Sequence, residues 1–81
     1  MSQARDVVEV IARALADHPD QVRVSENEHR GQLVVELLMA PGDLGRVIGR
    51  QGRTASAIRL LADLAAEREG RRVTVEFHDA T

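Results

Sequence analysis

The sequence predicts an α+β fold in which three helices pack on one face of a three-stranded mixed sheet, in the order helix, strand, strand, helix, helix, strand. Three observations carry this. Apolar residues recur at helical spacing over residues 3–17 and again over residues 53–69. A nearly continuous apolar run occupies residues 33–39, and a glycine-bounded break at residues 49–52 separates a short helix from a longer one.

The first helix places Ala4, Val7, Val8, Ile11, Ala14 and Leu15 on one face, with the i, i+3, i+4, i+7 spacing of an amphipathic helix. Ser2 suits its N-cap, and Asp17-His18-Pro19-Asp20 ends it, because proline cannot extend the hydrogen-bond ladder. Val22 and Val24 then alternate with Gln21, Arg23 and Ser25, as in a short strand with one buried face. Asn27 to Gly31 reads as a polar loop. Leu33 to Met39 is apolar enough to have neighbours on both sides, so it is expected at the centre of the sheet.

At Ala40-Pro41-Gly42-Asp43 the period changes to that of a helix. Pro41 suits the first helical position, Asp43 suits the positive first turn, and Leu44, Val47 and Ile48 share a face. Gly49-Arg50-Gln51-Gly52 breaks this helix. The third helix runs from about Arg53 to Glu69, with Ala55, Ile58, Leu61, Ala62 and Ala65 on its stripe and Gly70 at its C′ position. Leu60 and Leu64 point away from the stripe and either pack on the first helix or make a dimer contact. Val73 to Phe77 forms the last strand. The first two strands are near enough for an antiparallel hairpin, whereas Met39 to Val73 is a crossover that returns a parallel strand. The other face of the sheet is left to water or a partner.

At 81 residues the chain is expected to form one unit, 1–81, with a single core. No cysteine is present, which excludes disulfides and thiolate metal sites. No apolar run is long enough to span a membrane and the N-terminus lacks a signal peptide's apolar stretch, so a soluble cytoplasmic protein is expected. The 11 basic and 13 acidic side chains give a net charge of -2, which taken globally argues against nucleic acid. Locally the charge is sorted: Arg46, Arg50, Arg53 and Arg59 lie between Leu44 and Ala62 with no acid, so that segment carries +4 and the remainder -6. Glycines at both ends of the Gly49–Gly52 turn let backbone approach a ligand, and the next helix adds its positive N-terminal end. Arg50 and Gln51 supply donors at the tip, a chemistry suited to a phosphodiester. The other Gly-x-x-Gly, residues 42–45, holds an acid and no arginine and reads as helix-start punctuation.

Enzymatic classes fail on residues. The chain has no lysine for a P-loop and no Gly-x-Gly-x-x-Gly after a strand. His18, His29 and His78 lack metal-ligand spacing and read as solvated, and nothing marks a base beside Ser56. A non-enzymatic protein with no cofactor and no small-molecule substrate is expected. Phe77, the only aromatic, shares a face with Val73 and Val75 and reads as core, which closes base stacking on aromatic rings.

Val47-Ile48-Gly49-Arg50-Gln51-Gly52-Arg53, followed by Ile58, resembles the signature of the KH domain, and the element order resembles its type II arrangement. The sequence is similar to the small stand-alone bacterial RNA-binding KH proteins of the KhpA family, end to end, through Ala40-Pro41, Leu44 to Gly49, Ala57-Ile58-Arg59 and Arg72 to Glu76. The resemblance implies a single-stranded RNA-binding protein, an RNA chaperone or post-transcriptional regulator, whose Gly49–Gly52 loop grips about four nucleotides of backbone. It implies RNA-binding roles for Gly49, Arg50, Gln51, Gly52, Arg46, Ile48, Arg53, Thr54 and Arg59. Ile48 and the start of the third helix would form one groove wall, with the last strand and the Asn27–Gly31 loop opposite. The alternative is a protein-interaction subunit, a homodimer or a heterodimer with a larger KH-domain protein, binding little RNA itself. Thr54, Ala55 and Ser56 stand where an aliphatic, a larger aliphatic and a lysine are usual, which implies a shallower groove and weaker, less selective binding. With about three arginines on phosphate, the log-log salt slope would be near -2.

Overall fold

Helix α1 spans Gln3–Leu15 in the computed structural model, which describes residues 1–79. Its start is fixed twice. The Ser2 hydroxyl accepts the Arg5 N–H at 3.1 Å, satisfying one free donor of the first turn. The same hydroxyl and the Ser2 N–H both donate to the Glu26 carboxylate, which ties the cap to the sheet and holds that carboxyl below its ordinary range. Ala4, Val8 and Ala12 are fully buried. The helix ends at Leu15 rather than residue 17, leaving Ala14 and Leu15 exposed, and a 3-10 turn at Pro19–Gln21 leads into the sheet.

Strands β1 (Arg23–His29), β2 (Gln32–Met39) and β3 (Arg72–Asp79) form one sheet in the order β1-β2-β3. The central strand is therefore the apolar one, as its composition predicts. β1 pairs with it antiparallel and β3 parallel. Leu33, Val35, Leu37 and Met39 of β2 are buried, and Val35, Leu37 and Met39 share a core with residues of all three helices. Each such burial stabilises the fold by roughly 1.5–3 kcal/mol. The sheet's other face is mostly polar, with Val34 and Leu38 half-buried among its polar residues: Gln32 bonds Thr74, Asn27 bonds Glu36, and Ser25, Glu36 and Glu76 lie side by side.

Helix α2 is Pro41–Ile48 and helix α3 is Arg53–Arg68, joined by a 3-10 turn at Arg50–Gly52. α3 closes in a Schellman motif at the expected glycine, with the Gly70 N–H on the Glu67 carbonyl and the Arg71 N–H on the Ala66 carbonyl, both at 2.9 Å.

Two expectations are corrected. Asn27 to Gly31 is not a loop, because β1 runs to His29 and a two-residue turn, Arg30-Gly31, closes the hairpin with φ of 53° and 81°. The segment is polar because β1 is an edge strand, with its alternate residues in solvent. Leu61, expected on the buried stripe of α3, is 45% exposed, while Ala66 is buried. The buried face of α3 is Ala55, Ile58, Ala62, Ala65 and Ala66, narrow and made mostly of small side chains, and the larger leucines are left outside.

Candidate nucleic-acid interface

The start of α2 is held by a buried acid. Asp43 is 2% exposed and accepts the backbone N–H groups of Asp17 at 3.1 Å and His18 at 2.9 Å, with the His18 ring nitrogen at 3.3 Å. Burial alone would raise its carboxyl; the His18 and Asp17 amides and the His18 ring outweigh it and hold the group below the ordinary aspartate range. Asp43 thus marks the helix start, as its sequence position suggests, and also clamps α2 to the end of α1. Its partners lie 25 and 26 residues upstream, so no local pattern reveals the clamp.

From this anchored start, α2 delivers Val47 into the core and leaves Ile48 half-buried at the surface. The chain then turns at Gly49, with φ 76° and ψ 174°, a region open in practice only to glycine. Thr54 is packed against this glycine so tightly that a Cβ on residue 49 would lie 2.5 Å from the threonine hydroxyl oxygen. Gln51 (φ 56°) and Gly52 (φ 71°) are both left-handed, and the Gly52 N–H bonds the Gly49 carbonyl at 3.2 Å. α3 begins at Arg53 with no side-chain cap on its first-turn N–H groups, which leaves a positive helix end beside the turn.

The turn bears Arg50 and Gln51 exposed at its tip. Arg53 is also exposed and donates to the Gln51 side-chain oxygen at 3.2 Å. Arg46 is paired with Asp17 at 3.0 Å, both side chains more than half exposed. Arg59, two turns into α3, lies over the Phe77 ring with its Cζ 4.8 Å from the ring centroid.

Between the turn, the first half of α3 and β3 lies a hollow of about 360 Å³, lined by Ile48, Gln51, Gly52, Ala55, Ser56, Arg59 and Phe77. The predicted walls, Ile48 with the start of α3 against the last strand, do face each other. No acid lines this hollow. The cleft continues past Arg59 as a hollow of about 180 Å³ beside Asp63, Val73, Thr74 and Val75, then as one of about 660 Å³ that includes Asp63, Glu67, Arg71 and Arg72. Neither Arg30 nor Gly31 lines any of the three, so the hairpin turn is not the opposite wall. Ala55, expected to make the groove shallower, is among the residues that line the hollow. Gly49, Arg50, Arg53, Thr54 and Arg46 belong to the turn and its rim rather than to the hollow. Phe77, read from sequence as core, is only partly buried and presents part of its surface to the groove.

On the open sheet face, Glu36, Glu76 and His78 each bring one ligand-type atom within 4.8 Å of the others. Glu36 and Glu76 are directly paired across parallel strands, and the His78 Nε2 lies 3.6 Å and 3.3 Å from them. The His78 ring and the Glu76 carboxylate lie within hydrogen-bonding distance in an exposed setting, which accounts for the grouping without a metal. Among the described residues no helix is long and apolar enough to cross a membrane.

A protein-family model described as KhpA/KhpB, KH domain, matches residues 5–77. The chain belongs to the KhpA/KhpB KH-domain family. Its element order and mixed sheet are those of the type II KH fold. Among its relatives is the RNA-binding protein KhpA of Halalkalibacterium halodurans, 49% identical over 75 residues that cover 93% of this chain and 99% of that protein. The RNA-binding protein KhpA of Aquifex aeolicus is 43% identical over 77 residues, covering 95% and 98%. These KH proteins are named for binding, and their family is not one of enzymes. Among solved structures, Era in complex with MgGDPNP and nucleotides 1506–1542 of 16S ribosomal RNA superposes with a TM-score of 0.63 at 25% identity, over 94% of this chain but only 29% of the Era chain. The chain therefore spans less than a third of that structure.

Proposed function

We propose that this KH-family chain, folded as one unit over residues 1–81, is a non-enzymatic single-stranded RNA-binding protein that grips about four nucleotides of backbone at Gly49-Arg50-Gln51-Gly52. The carrying observation is the turn itself: it starts at a Gly49 backbone open in practice only to glycine and presents exposed Arg50 and Gln51, inside a segment with four arginines and no acid. The names of the relatives support RNA as the partner. Gly49 and Gly52 admit the phosphodiester, Arg50, Gln51 and Arg53 donate to it, Thr54 buttresses the turn, and Ile48 forms the apolar wall. Arg46 adds charge at the rim and Arg59 within the groove. Such a protein serves as an RNA chaperone or post-transcriptional regulator in the bacterial cytoplasm. The test is binding of short single-stranded RNAs to the variant Arg50→Asp with Gln51→Asp. A loss of at least tenfold is expected, and unchanged affinity in a folded variant removes the reading.

A second reading draws on the helical layer. Val10 is 68% exposed, Leu60 58% and Leu64 51%, and Leu64 borders a hollow shared with Val7 of α1. Exposed apolar side chains of this kind on the helical layer suit a homodimer, or a heterodimer with a larger KH-domain protein. Sedimentation at micromolar concentration with and without Leu64→Glu separates the versions, and a monomer in both cases removes the homodimer.

A further inference from the structure

A single aromatic residue leaves this chain without the ring platforms on which many RNA-binding proteins stack bases. The structure supplies a different flat surface. Arg59 sits over the Phe77 ring at 4.8 Å, although Asp63 lies one turn further along the same helix as a ready ion-pair partner. No ion pair joins Arg59 to Asp63 among the described residues, and the guanidinium is held on the ring instead. It lines both the 360 Å³ hollow beside the glycine turn and the 180 Å³ hollow beyond it, so it stands as a partition across the cleft. Guanidinium is planar, delocalised and weakly hydrated, and it stacks on π-faces with its N–H donors directed outward in its own plane. The Arg59 Cζ lies over the ring and the residue is otherwise exposed, which leaves room beside the guanidinium for a second planar group.

We infer that Arg59, held by Phe77, is a base-stacking position: one unpaired base of the bound RNA lies on the guanidinium, at the boundary between the two hollows. The inference rests on the RNA-binding reading above and gives Arg59 a task distinct from the phosphate contacts of the turn. Phe77 is the positioning residue. Without its ring, the long arginine side chain has many rotamers and no fixed plane, and Asp63 becomes an available partner. Gln51 and Ser56 line the hollow beside it, and with the guanidinium edge they give the seated base donors but no acid. A purine, with its larger π-face and its N7 acceptor, fits this position better than a pyrimidine.

The experiment uses a four-nucleotide single-stranded adenosine RNA, which matches the grip and so fixes the register, and the four variants of it with one abasic position each, titrated against the wild type, Arg59→Lys and Phe77→Leu. In the wild type, one abasic position is expected to weaken binding by about tenfold more than its neighbours, the order that a stacked base contributes. Arg59→Lys keeps the charge and loses the plane, so the position-specific loss falls below about twofold while the salt slope is unchanged. Phe77→Leu, at a half-buried site, gives the same flattened profile with the arginine intact. A wild-type profile that persists in Arg59→Lys overturns the inference, whether or not Phe77→Leu folds. The RNA-binding reading stands or falls separately: if the wild type binds every RNA with no position-specific loss, and binding weakens with the Arg50→Asp, Gln51→Asp variant, only the stacking assignment is lost. A wild type that binds none of the RNAs removes both.

Discussion

Gly49 and Thr54 are packed so closely that a Cβ on the glycine would meet the threonine hydroxyl oxygen at 2.5 Å and its Cβ at 2.9 Å. The contact folds the turn back on the first residues of α3, and it separates the two glycines of the motif. Gly49 needs both an unusual backbone and empty space. Gly52 needs only its left-handed backbone, with nothing within 4 Å of the site a Cβ would occupy.

The two glycines should therefore differ on substitution. Gly52→Ala is expected to cost about 1 kcal/mol, the ordinary penalty of a left-handed alanine. Gly49→Ala combines strain in a glycine-only region with the Thr54 clash and is expected to cost about 3 kcal/mol. Urea denaturation of both variants checks the order. Equal costs would mean that the Thr54 contact relaxes freely.

Charge at the turn predicts an uneven salt response. Arg50 is exposed at the tip, whereas Arg46 is already paired with Asp17. Arg50→Ala should reduce the magnitude of the log-log salt slope for single-stranded RNA by about 0.7, the value of one phosphate contact. Arg46→Ala should change it by less than half as much. Titrations of RNA between low and moderate salt read both numbers, and a reversed order would move the phosphate track to the α2 rim.

Asp43 makes stability depend on acid. Its folded pKa lies below the unfolded value of about 3.9, so the stability it contributes is fully present above that value. It is lost as the pH falls through the lower, folded value. Asp43→Asn should melt at lower temperature than the wild type at pH 7, and the difference between the two should shrink as the pH falls below about 4. Glu9 and Glu26 are held low as well, by Arg5 and by Ser2 respectively, and they act in both proteins, so the difference curve isolates Asp43. A difference independent of pH would assign the loss to packing.

Ile58 and Leu64 test which side of α3 carries the core. Ile58 is 1% exposed and Leu64 51%. Ile58→Ala is expected to cost about 3 kcal/mol through lost burial and a cavity. Leu64→Ala should cost less than about 1 kcal/mol in dilute protein. Thermal unfolding at two concentrations is the measurement: a Leu64→Ala cost that grows with concentration would indicate an assembly built on that residue.

Most of the element plan is legible because it rests on short-range chemistry. Pro41, Gly49-x-x-Gly52 and Gly70 set the two helix starts and stops from within a few residues, and the apolar run of β2 announces a central strand. Errors arise where local chemistry is ambiguous. Asn27 to His29 are polar whether they form a loop or a solvated edge strand, and only pairing with Gln32 to Val34 makes them a strand. In α3, leucine and alanine both satisfy an apolar stripe, so the spacing alone overestimates the burial of Leu61.

The sequence by itself determined the helices, the strands, the glycine turn and the sorting of charge around it, because periodicity, capping and backbone permissiveness act over a few neighbouring residues. Tertiary structure alone decided that Asp43 clamps Asp17 and His18, that Ala55 and Phe77 line one hollow, and that Arg59 lies on Phe77 rather than on Asp63. Each of these depends on how elements far apart in sequence approach one another, α2 with the end of α1 in the first case and α3 with β3 in the others, and not on any spacing along the chain.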